Sequence, residues 1–296
     1  VDLTSVTIPS NVTEIGNSAF EGCSGLTSLE IPNGVTFIGT DAFTGTAWLD
    51  NQPEGLLYIG KVVYKYIGTM PENTSISLKE GTTAIVGKAF HECSGLISID
   101  IPNTVTSIGM GAFTYCSNLT SVIIPQGVTS IGTSAFNSCY SLASVSIPNS
   151  VTSIGSGSFY KCKALTEIVI PNSVIEIERM AFHCCISLND VILPDSITEI
   201  TDFVFEGCDG LTNIKIPNSV TKIGQGAFNG CSNLKNIEIP ESVTIIADEA
   251  FAHCYNLASI IIPGNVQEVP YRAFYIGNTL KEVTMMKGVK KIGKEA

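Results

Sequence analysis

Nine cysteines hold the same place in a regular pattern, and thiols at fixed spacing could form disulfides, bind a metal or act as nucleophiles. They are Cys23, Cys93, Cys116, Cys139, Cys162, Cys185, Cys208, Cys231 and Cys254. Neighbours from Cys93 onward are 23 residues apart, so stacking would place them near bridging distance, but with parallel Cβ directions that suit no pairing. We predict reduced, buried thiols that act as small apolar groups. The tenth, Cys184, is out of register and is predicted to be more exposed.

Metal binding and catalysis find little support in the sequence. A tetrahedral metal site needs clustered Cys or His, and no Cys-x-x-Cys occurs. The three histidines, His91, His183 and His253, have no Ser/Asp or Cys/Asn partner in register, so no triad is supported. Glu176 and Glu199 are 23 residues apart and could in principle do acid–base work, but no oriented partner accompanies them. We therefore predict no enzyme, no cofactor and no metal site.

The composition excludes several classes of protein. Of the 296 residues, 44% are hydrophobic and 15% are charged, against roughly 25% charged in an average soluble domain. The net charge of −11 argues against a nucleic-acid binder, which usually carries a basic face. No apolar run approaches the roughly 20 residues of a membrane-spanning helix. We predict a folded chain that neither spans a membrane nor binds nucleic acid.

A 23-residue repeat must position all of these side chains. Its pattern is L-x-x-V-x-I-P-x-x-V-T-x-I-G-x-x-A-F-x-x-C-x-x, and a clear copy runs from residue 211 to 233. Twelve copies are marked by a proline or its substitute at Pro9, Pro32, Lys79, Pro102, Pro125, Pro148, Pro171, Pro194, Pro217, Pro240, Pro263 and Met286. Eight positions of each copy are apolar and should point inward, where stacked copies can bury them.

Each copy predicts three short elements. The V-x-I-P piece is β-branched and alternating, which favours a strand that the proline ends. The V-T-x-I piece favours a second short extended segment. The A-F-x-x-C piece has no β-branched run and predicts a single α or 3₁₀ turn. The Thr of V-T should form an exposed ladder, and the Gly after Ile should allow close packing at a corner.

The repeat closely resembles the BspA-like leucine-rich repeats, also known as the Treponema pallidum type, over almost the whole chain. The resemblance implies a secreted or surface-displayed protein, usually bacterial, with a role in adhesion to host matrix proteins, host cells or other microbes. We predict a right-handed leucine-rich-repeat solenoid, α/β to mostly β, of about twelve coils. Residues 1–296 should form a single domain and a fragment of a longer protein.

About 24 extra residues interrupt the repeat after Phe43, at about 44–70. Two β-rich runs around Gly60-Lys61 predict an inserted β-hairpin with a type II′ turn. One hypothesis is a protruding element that binds a partner through aromatic side chains. The alternative is a hairpin that extends the sheet and packs on adjacent coils. The aromatic residues concerned are Trp48, Tyr58, Tyr64 and Tyr66.

Two surface features suggest binding sites. The position between the inward Val and Ile of the first strand should face outward, and it is apolar at Ile123, Val169 and Ile192, as exposed partner sites can be. Residues 101–160 contain no Asp, Glu, Lys, Arg or His, which suits a neutral glycan or simply a regular repeat array. We predict a non-enzymatic adhesion module at the bacterial surface that mediates interaction with host proteins or other cells. The alternatives are a carbohydrate-binding module and a structural spacer.

Overall fold

The computed structural model describes residues 3–296, which form a solenoid of stacked coils with two rows of short strands. The first row comes from the V-x-I pieces because their side chains alternate between core and solvent. Numbered along the chain, its strands are β1 (Ser5–Thr7), β3 (Ser28–Glu30), β7 (Thr74–Ser77), β9 (Leu96–Asp100), β11 (Ser121–Ile123), β13 (Ser144–Ser146), β15 (Glu167–Val169), β17 (Asp190–Ile192), β19 (Asn213–Lys215), β21 (Asn236–Glu238), β23 (Ser259–Ile262) and β25 (Glu282–Met285).

The second row comes mainly from the T-x-I pieces. Its strands are β2 (Glu14–Ile15), β4 (Phe37–Ile38), β8 (Ala84–Ile85), β10 (Ser107–Ile108), β12 (Ser130–Ile131), β14 (Ser153–Ile154), β16 (Glu176–Ile177), β18 (Glu199–Ile200), β20 (Lys222–Ile223), β22 (Ile245–Ile246), β24 (Glu268–Val269) and β26 (Lys291–Ile292). Paired strands within each row run parallel, mostly in a register of one repeat, as where Ser121 pairs with Ser144. The predicted leucine-rich-repeat solenoid is confirmed.

The eight predicted inward positions are buried. In the clear copy, all eight side chains are at most 6% exposed: Leu211, Ile214, Ile216, Val220, Ile223, Ala227, Phe228 and Cys231. Because most coils present a similar set, neighbours bury each other's faces. The buried residues form two clusters, a long one from Val63 to Phe274 and a short one from Ile15 to Val86 beside the insertion.

The phenylalanines form a stack of nearly parallel rings inside the core. Ring centroids are 5.1 Å apart between Phe90 and Phe113 and 5.9 Å apart between Phe251 and Phe274. The stack continues through Phe136, Phe159, Phe182, Phe205 and Phe228. A second, shorter stack joins Phe20 and Phe43 at 5.7 Å, on the other side of the insertion.

The predicted helical turn at A-F-x-x-C is wrong, because this piece folds as consecutive β-turns. In one coil, the His91 N–H donates to the Lys88 carbonyl three residues back, whereas the Phe90 N–H donates to Ala112 of the next coil. This alternation is incompatible with an α-helix, in which the bonds stay within the segment. Lys88 and Glu92 have φ of +63° and +61°, left-handed values that also end any helix.

The predicted role of the glycine after Ile is confirmed as close packing, except at Gly16 in the first coil, where a Cβ atom would meet nothing within 4 Å. A Cβ atom on Gly109 would lie 2.3 Å from the backbone nitrogen of Gly87 in the preceding coil. A Cβ atom on Gly155 would lie 2.7 Å from the nitrogen of Thr133. Neither glycine has a positive φ, so each is required for space and not for conformation.

The threonine ladder is exposed, as predicted, and its hydroxyls bond between coils. The Thr152 Oγ1 donates to the Thr129 carbonyl at 3.1 Å, and the Thr221 Oγ1 donates to the Thr198 carbonyl at 3.2 Å.

Across residues 3–296, no helix has the length and apolar character needed to cross a bilayer.

Candidate functional site

The insertion is a short helix followed by a hairpin that joins the second row. Helix α1 (Ala47–Asp50) begins after Thr46, whose Oγ1 accepts a bond from the Leu49 N–H. Strand β5 (Gly55–Ile59) pairs antiparallel with β6 (Val62–Ile67). Strand β6 pairs in parallel with β8 on its other edge and contacts β4. The predicted hairpin is therefore confirmed, and both of its strands extend the sheet of the second row, in the order β8-β6-β5.

The hairpin turn has the predicted two-residue length. Ile59 pairs with Val62, which leaves Gly60 and Lys61 at the turn. Gly60 has a φ of +58°, whereas Lys61 does not have a positive φ. A left-handed first residue alone is the condition of a type II′ turn, which is why glycine is needed there.

Tyr64 and Trp48 pack against the end of the shorter phenylalanine stack. Their rings lie edge-on to Phe43, with centroids 5.3 Å and 5.0 Å away. Tyr64 is 3% exposed, and its Oη accepts a hydrogen bond from the Phe43 N–H at 3.0 Å. Burial raises the pKa of the Tyr64 hydroxyl above its usual value. In a regular coil the same N–H bonds to the next coil's backbone, so Tyr64 replaces a partner that the insertion displaces.

Tyr58 and Tyr66 are half-buried and also hold the insertion to the next coil. The Tyr58 Oη accepts a bond from the Lys79 N–H at 3.0 Å, and the Lys79 Nζ lies 4.4 Å from the centre of the Tyr58 ring. Lys79 stands where most coils have proline, so it has an N–H that needs an acceptor. The backbone N–H of Tyr66 donates to the Ala89 carbonyl at 2.8 Å. All four aromatic residues therefore have contacts within the scaffold, and their binding role stays a prediction.

The internal role of Tyr64 predicts a measurable loss of stability. Tyr64→Phe keeps the ring but leaves the buried Phe43 N–H without its acceptor. We expect the free energy of unfolding to fall by about 1–3 kcal/mol, the usual result of leaving one buried polar group unpaired. Urea denaturation measures the change, with the exposed Tyr115→Phe as the matched control. Equal stability of the two variants would contradict the assigned role.

A cleft of about 730 Å³ lies beside the insertion, within the range of small-ligand sites. Strand β6 and the residues after it line one side, and the turns of the two adjacent coils line the others. The Lys88 Nζ and the Asp41 Oδ2 form an ion pair at 2.5 Å in this cleft. Tyr66, His91 and Glu92 also contribute to its lining. The lining thus combines both signs of charge with an aromatic ring.

The predicted outward strand position is exposed where it is apolar. Ile123, Val169 and Ile192 are 73%, 59% and 55% exposed. Val169 and Ile192 are direct neighbours in the register of β15 and β17. Ser146 follows Ile123 in register, so Ile123 is separated from the other two by one coil. The structure therefore brings together two of the three predicted residues.

The residues with catalytic potential are engaged in other contacts. The His183 Nδ1 lies 3.0 Å from the Glu206 Oε2, and the His253 Nδ1 lies 3.1 Å from the Tyr255 hydroxyl. Glu199 forms an ion pair with Lys222 at 2.6 Å, and this hydrogen bond raises the pKa of the lysine. Within the part of the chain that the structure describes, no three His, Cys, Asp or Glu side chains are grouped to hold a metal ion.

The in-register cysteines are buried, as predicted. Seven of them donate from Sγ to a phenylalanine carbonyl 26 residues earlier, at 3.1–3.2 Å, as where Cys162 donates to Phe136. Cys184 is half-buried, in agreement with its predicted greater exposure. Burial raises the pKa of the Cys162 and Cys184 thiols, which makes these two poor nucleophiles.

Comparisons with known proteins agree with this geometry. A leucine-rich repeat protein from Bacteroides ovatus has a TM-score of 0.68 and 28% identity, over 97% of this chain and 73% of that chain. One from Eubacterium ventriosum has a TM-score of 0.52 and 22% identity, over 96% of this chain and 81% of that chain. No curated protein matches. The family described as BspA type leucine-rich repeat region matches residues 1–70, 58–189 and 175–296. This chain belongs to the BspA-type leucine-rich repeat family.

Proposed function

We propose that this chain is a non-enzymatic adhesion module at the bacterial surface that binds a host protein. The single observation that carries the proposal is the exposed pair Val169 and Ile192, adjacent on the first row of strands. Adjacent exposed aliphatic side chains can mark a surface that a protein partner covers. Membership of a repeat family whose solenoids offer extended binding surfaces supports the same conclusion.

The charges beside this pair indicate the kind of protein partner. Glu167 and Asp190 are paired in register on the same strands as Val169 and Ile192, and both are exposed. The surface is thus an aliphatic pair bordered by two carboxylates, with Lys215 one repeat after Ile192 on β19. A complementary partner would offer an apolar side chain flanked by Lys or Arg. The net charge of −11 would favour the approach of such a basic surface at low ionic strength.

The insertion would provide a second region of contact with the protein partner. Its cleft is concave and contains both charges and aromatic surface, which suits a side chain of a bound protein. Trp48 and Tyr58 would support the cleft through their scaffold contacts, and Tyr64 and Tyr66 would line it.

The test is the affinity of surface variants for a panel of purified host extracellular matrix proteins. Val169→Thr combined with Ile192→Thr keeps β-branched side chains in the strands but removes apolar surface. We expect affinity for a bound panel member to fall about tenfold or more, because burial of such a side chain contributes about 1.5–3 kcal/mol. Ile245→Thr is the matched control, since Ile245 is 53% exposed on the second row.

The outcomes separate the proposed function from its alternatives. Loss of affinity in the double variant but not in the control would support the assigned surface. If the chain is only a structural spacer, it should bind no panel member, and that result would overturn the proposal. Equal losses in the double variant and the control would show that this pair is not the binding surface.

A further inference from the structure

The middle of the chain carries a local positive charge. Between Asp100 and Glu167, the charged side chains are Lys161 and Lys163, two positions apart. This stretch therefore has a charge of +2 in a chain whose net charge is −11. The two ammonium groups lie in the turns, away from the two strand rows.

Tyr140 and Tyr160 lie beside these lysines, and Tyr115 lies two coils before Lys161, where its ring is edge-on to His91 at 5.9 Å. We call these three tyrosines and two lysines the tyrosine–lysine corner: Tyr115, Tyr140, Tyr160, Lys161 and Lys163. The Lys163 Nζ lies 5.1 Å from the centre of the Tyr140 ring, and the Lys161 Nζ lies 5.0 Å from that of Tyr160. Tyr115 and Tyr140 are 46% and 37% exposed, so they present ring surface to solvent.

The backbone holds the corner in one conformation. Tyr115 and Lys161 have left-handed φ of +62° and +58° and occupy the same position of coils two apart. The Tyr115 N–H donates to the Asn137 carbonyl at 2.9 Å, and the Lys161 N–H donates to the His183 carbonyl at 2.8 Å. Because the backbone is fixed by bonds to the next coil, a ligand would have little backbone to order on binding.

The next coils limit the corner on one side. The Tyr160 ring stacks on His183 at 4.9 Å, which occupies one of its faces. The carboxylate of Glu206 lies 3.0 Å from His183 and 3.0 Å from the Asn229 amide, so it is engaged away from the lysines. Asp209 lies in the same coil as Glu206 and makes that side acidic. A ligand with negative charge would therefore extend the other way, over the uncharged coils.

We propose that the tyrosine–lysine corner binds an acidic glycan, meaning a saccharide chain with carboxylate or sulfate groups. The C–H face of a sugar can stack on the negative face of an exposed tyrosine ring. The two ammonium groups can form charge-assisted hydrogen bonds with the acidic substituents. Hydroxyl and amide groups of the uncharged coils can bond sugar hydroxyls without repelling the chain.

The spacing of the coils favours a glycan over an acidic peptide. Tyr115, Tyr140 and Lys163 belong to three successive coils, which rise by 5.2 Å and 5.5 Å as measured between their phenylalanine rings. This rise is close to the length of one pyranose unit along a chain, so successive sugars would meet successive coils. The Tyr115 and Lys161 N–H groups already donate to carbonyls of the next coil, so they are not available to pair with the backbone of a bound peptide.

The test is isothermal titration calorimetry with a heparin hexasaccharide as the acidic probe. Neutral cellohexaose and a hexaglutamate peptide are the comparison ligands. We expect the hexasaccharide to bind and Lys161→Gln combined with Lys163→Gln to weaken it about tenfold or more, with a smaller salt dependence. Tyr115→Ser combined with Tyr140→Ser should weaken it to a similar extent. Serine occupies these positions in neighbouring coils, as at Ser138 and Ser117, so the fold should be retained.

Matched controls make the result specific to the corner. Tyr255→Ser changes a tyrosine that is 39% exposed at the position of Tyr140 in a later coil, and it should alter affinity less than about twofold. Lys215→Gln removes a charge from the strand surface and should also have little effect. Binding by the Val169→Thr, Ile192→Thr double variant should be unchanged, which keeps this proposal separate from protein adhesion.

Three results would overturn the proposal. The first is no binding of the hexasaccharide, and the second is equal affinity for cellohexaose, which would remove the role of charge. The third is binding of hexaglutamate that is as tight as that of the hexasaccharide and unaffected by the tyrosine substitutions. That last result would identify the corner as a site for an acidic protein segment.

Discussion

Phe159→Ala is expected to lower the free energy of unfolding by about 3–5 kcal/mol, the usual range for loss of a buried aromatic side chain. Phe159 is fully buried, and its ring stacks on Phe136 at 5.5 Å and on Phe182 at 5.4 Å. The substitution would open a cavity between two coils whose backbones are fixed by further bonds. Since these bonds prevent collapse, most of the cavity should persist.

Two controls separate the stack from general effects of phenylalanine. Phe37 is 50% exposed on β4, so Phe37→Ala should change stability by no more than about 0.5 kcal/mol. Phe20 has one ring partner, Phe43, so the loss in free energy of unfolding caused by Phe20→Ala should lie between those of the other two variants. Urea denaturation followed by circular dichroism measures all three. A loss below about 1 kcal/mol for Phe159→Ala would contradict the packing account.

The inward face of the solenoid could be predicted from sequence because one pattern fixes it twelve times. The eight apolar positions are largely buried in the inner coils, and the period of 23 places equivalent residues side by side. The close approach at Gly109 could be predicted because another coil has Val86 at the equivalent position. Valine does not tolerate a left-handed φ, so the glycine is needed for space and not for conformation. Such features depend on one coil and a neighbour of similar sequence, so the repeat pattern is sufficient to predict them.

The conformation of the turns could not be predicted in the same way. The left-handed positions are occupied by residues as different as Lys88, Met180 and Phe203, as well as glycine. Local preference does not favour these residues there, and the conformation is maintained by hydrogen bonds to the next coil. The pattern therefore suggested a helical turn where inter-coil bonds produce a ladder of β-turns.

The insertion was predictable as a hairpin but not in its contacts. The Gly60-Lys61 turn is a local signal, and the structure follows it. The hydroxyls of Tyr64 and Tyr58 accept backbone bonds from Phe43 and Lys79, 21 residues away in each case. These partners exist because the insertion displaces a regular coil contact, which no property of the hairpin sequence alone reveals.

The candidate surfaces were predictable to different degrees. Strand alternation placed Val169 and Ile192 outward, and both are exposed. The tyrosine–lysine corner was not predicted because a helical turn would point its side chains differently. The left-handed φ at Lys161 and the stacking of Tyr160 on His183 create its geometry. Both features depend on neighbouring coils.

Thiol titration of the native protein is expected to detect at most one fast-reacting group per chain. In concentrated guanidinium chloride the count should rise to nearly ten, since the sequence has 10 cysteines and we predict all of them to be reduced. The half-buried Cys184 is the candidate for the native reaction. A Cys184→Ser variant should lower both counts by one. A denatured count near zero would show that the cysteines are paired in disulfides.

The same burial predicts a loss of stability at alkaline pH. Burial raises the pKa of Cys93 and of Cys254 from 9.0 to about 12, and it raises the pKa of Cys162 as well. The unfolded chain releases these protons near pH 9, whereas the folded chain retains them. The stabilising contribution is therefore complete below about pH 9 and is lost progressively as pH rises toward about 12.

Urea midpoints measured from about pH 8 to pH 10 should fall accordingly. Tyrosines also titrate near the upper end of this range, and burial raises the pKa of Tyr64 in the same direction. A variant with Cys139→Ala, Cys162→Ala and Cys185→Ala keeps the tyrosines and removes three buried thiols. Its midpoint should decline less steeply with pH than that of the parent. Parallel declines would show that the buried thiols do not cause the alkaline loss.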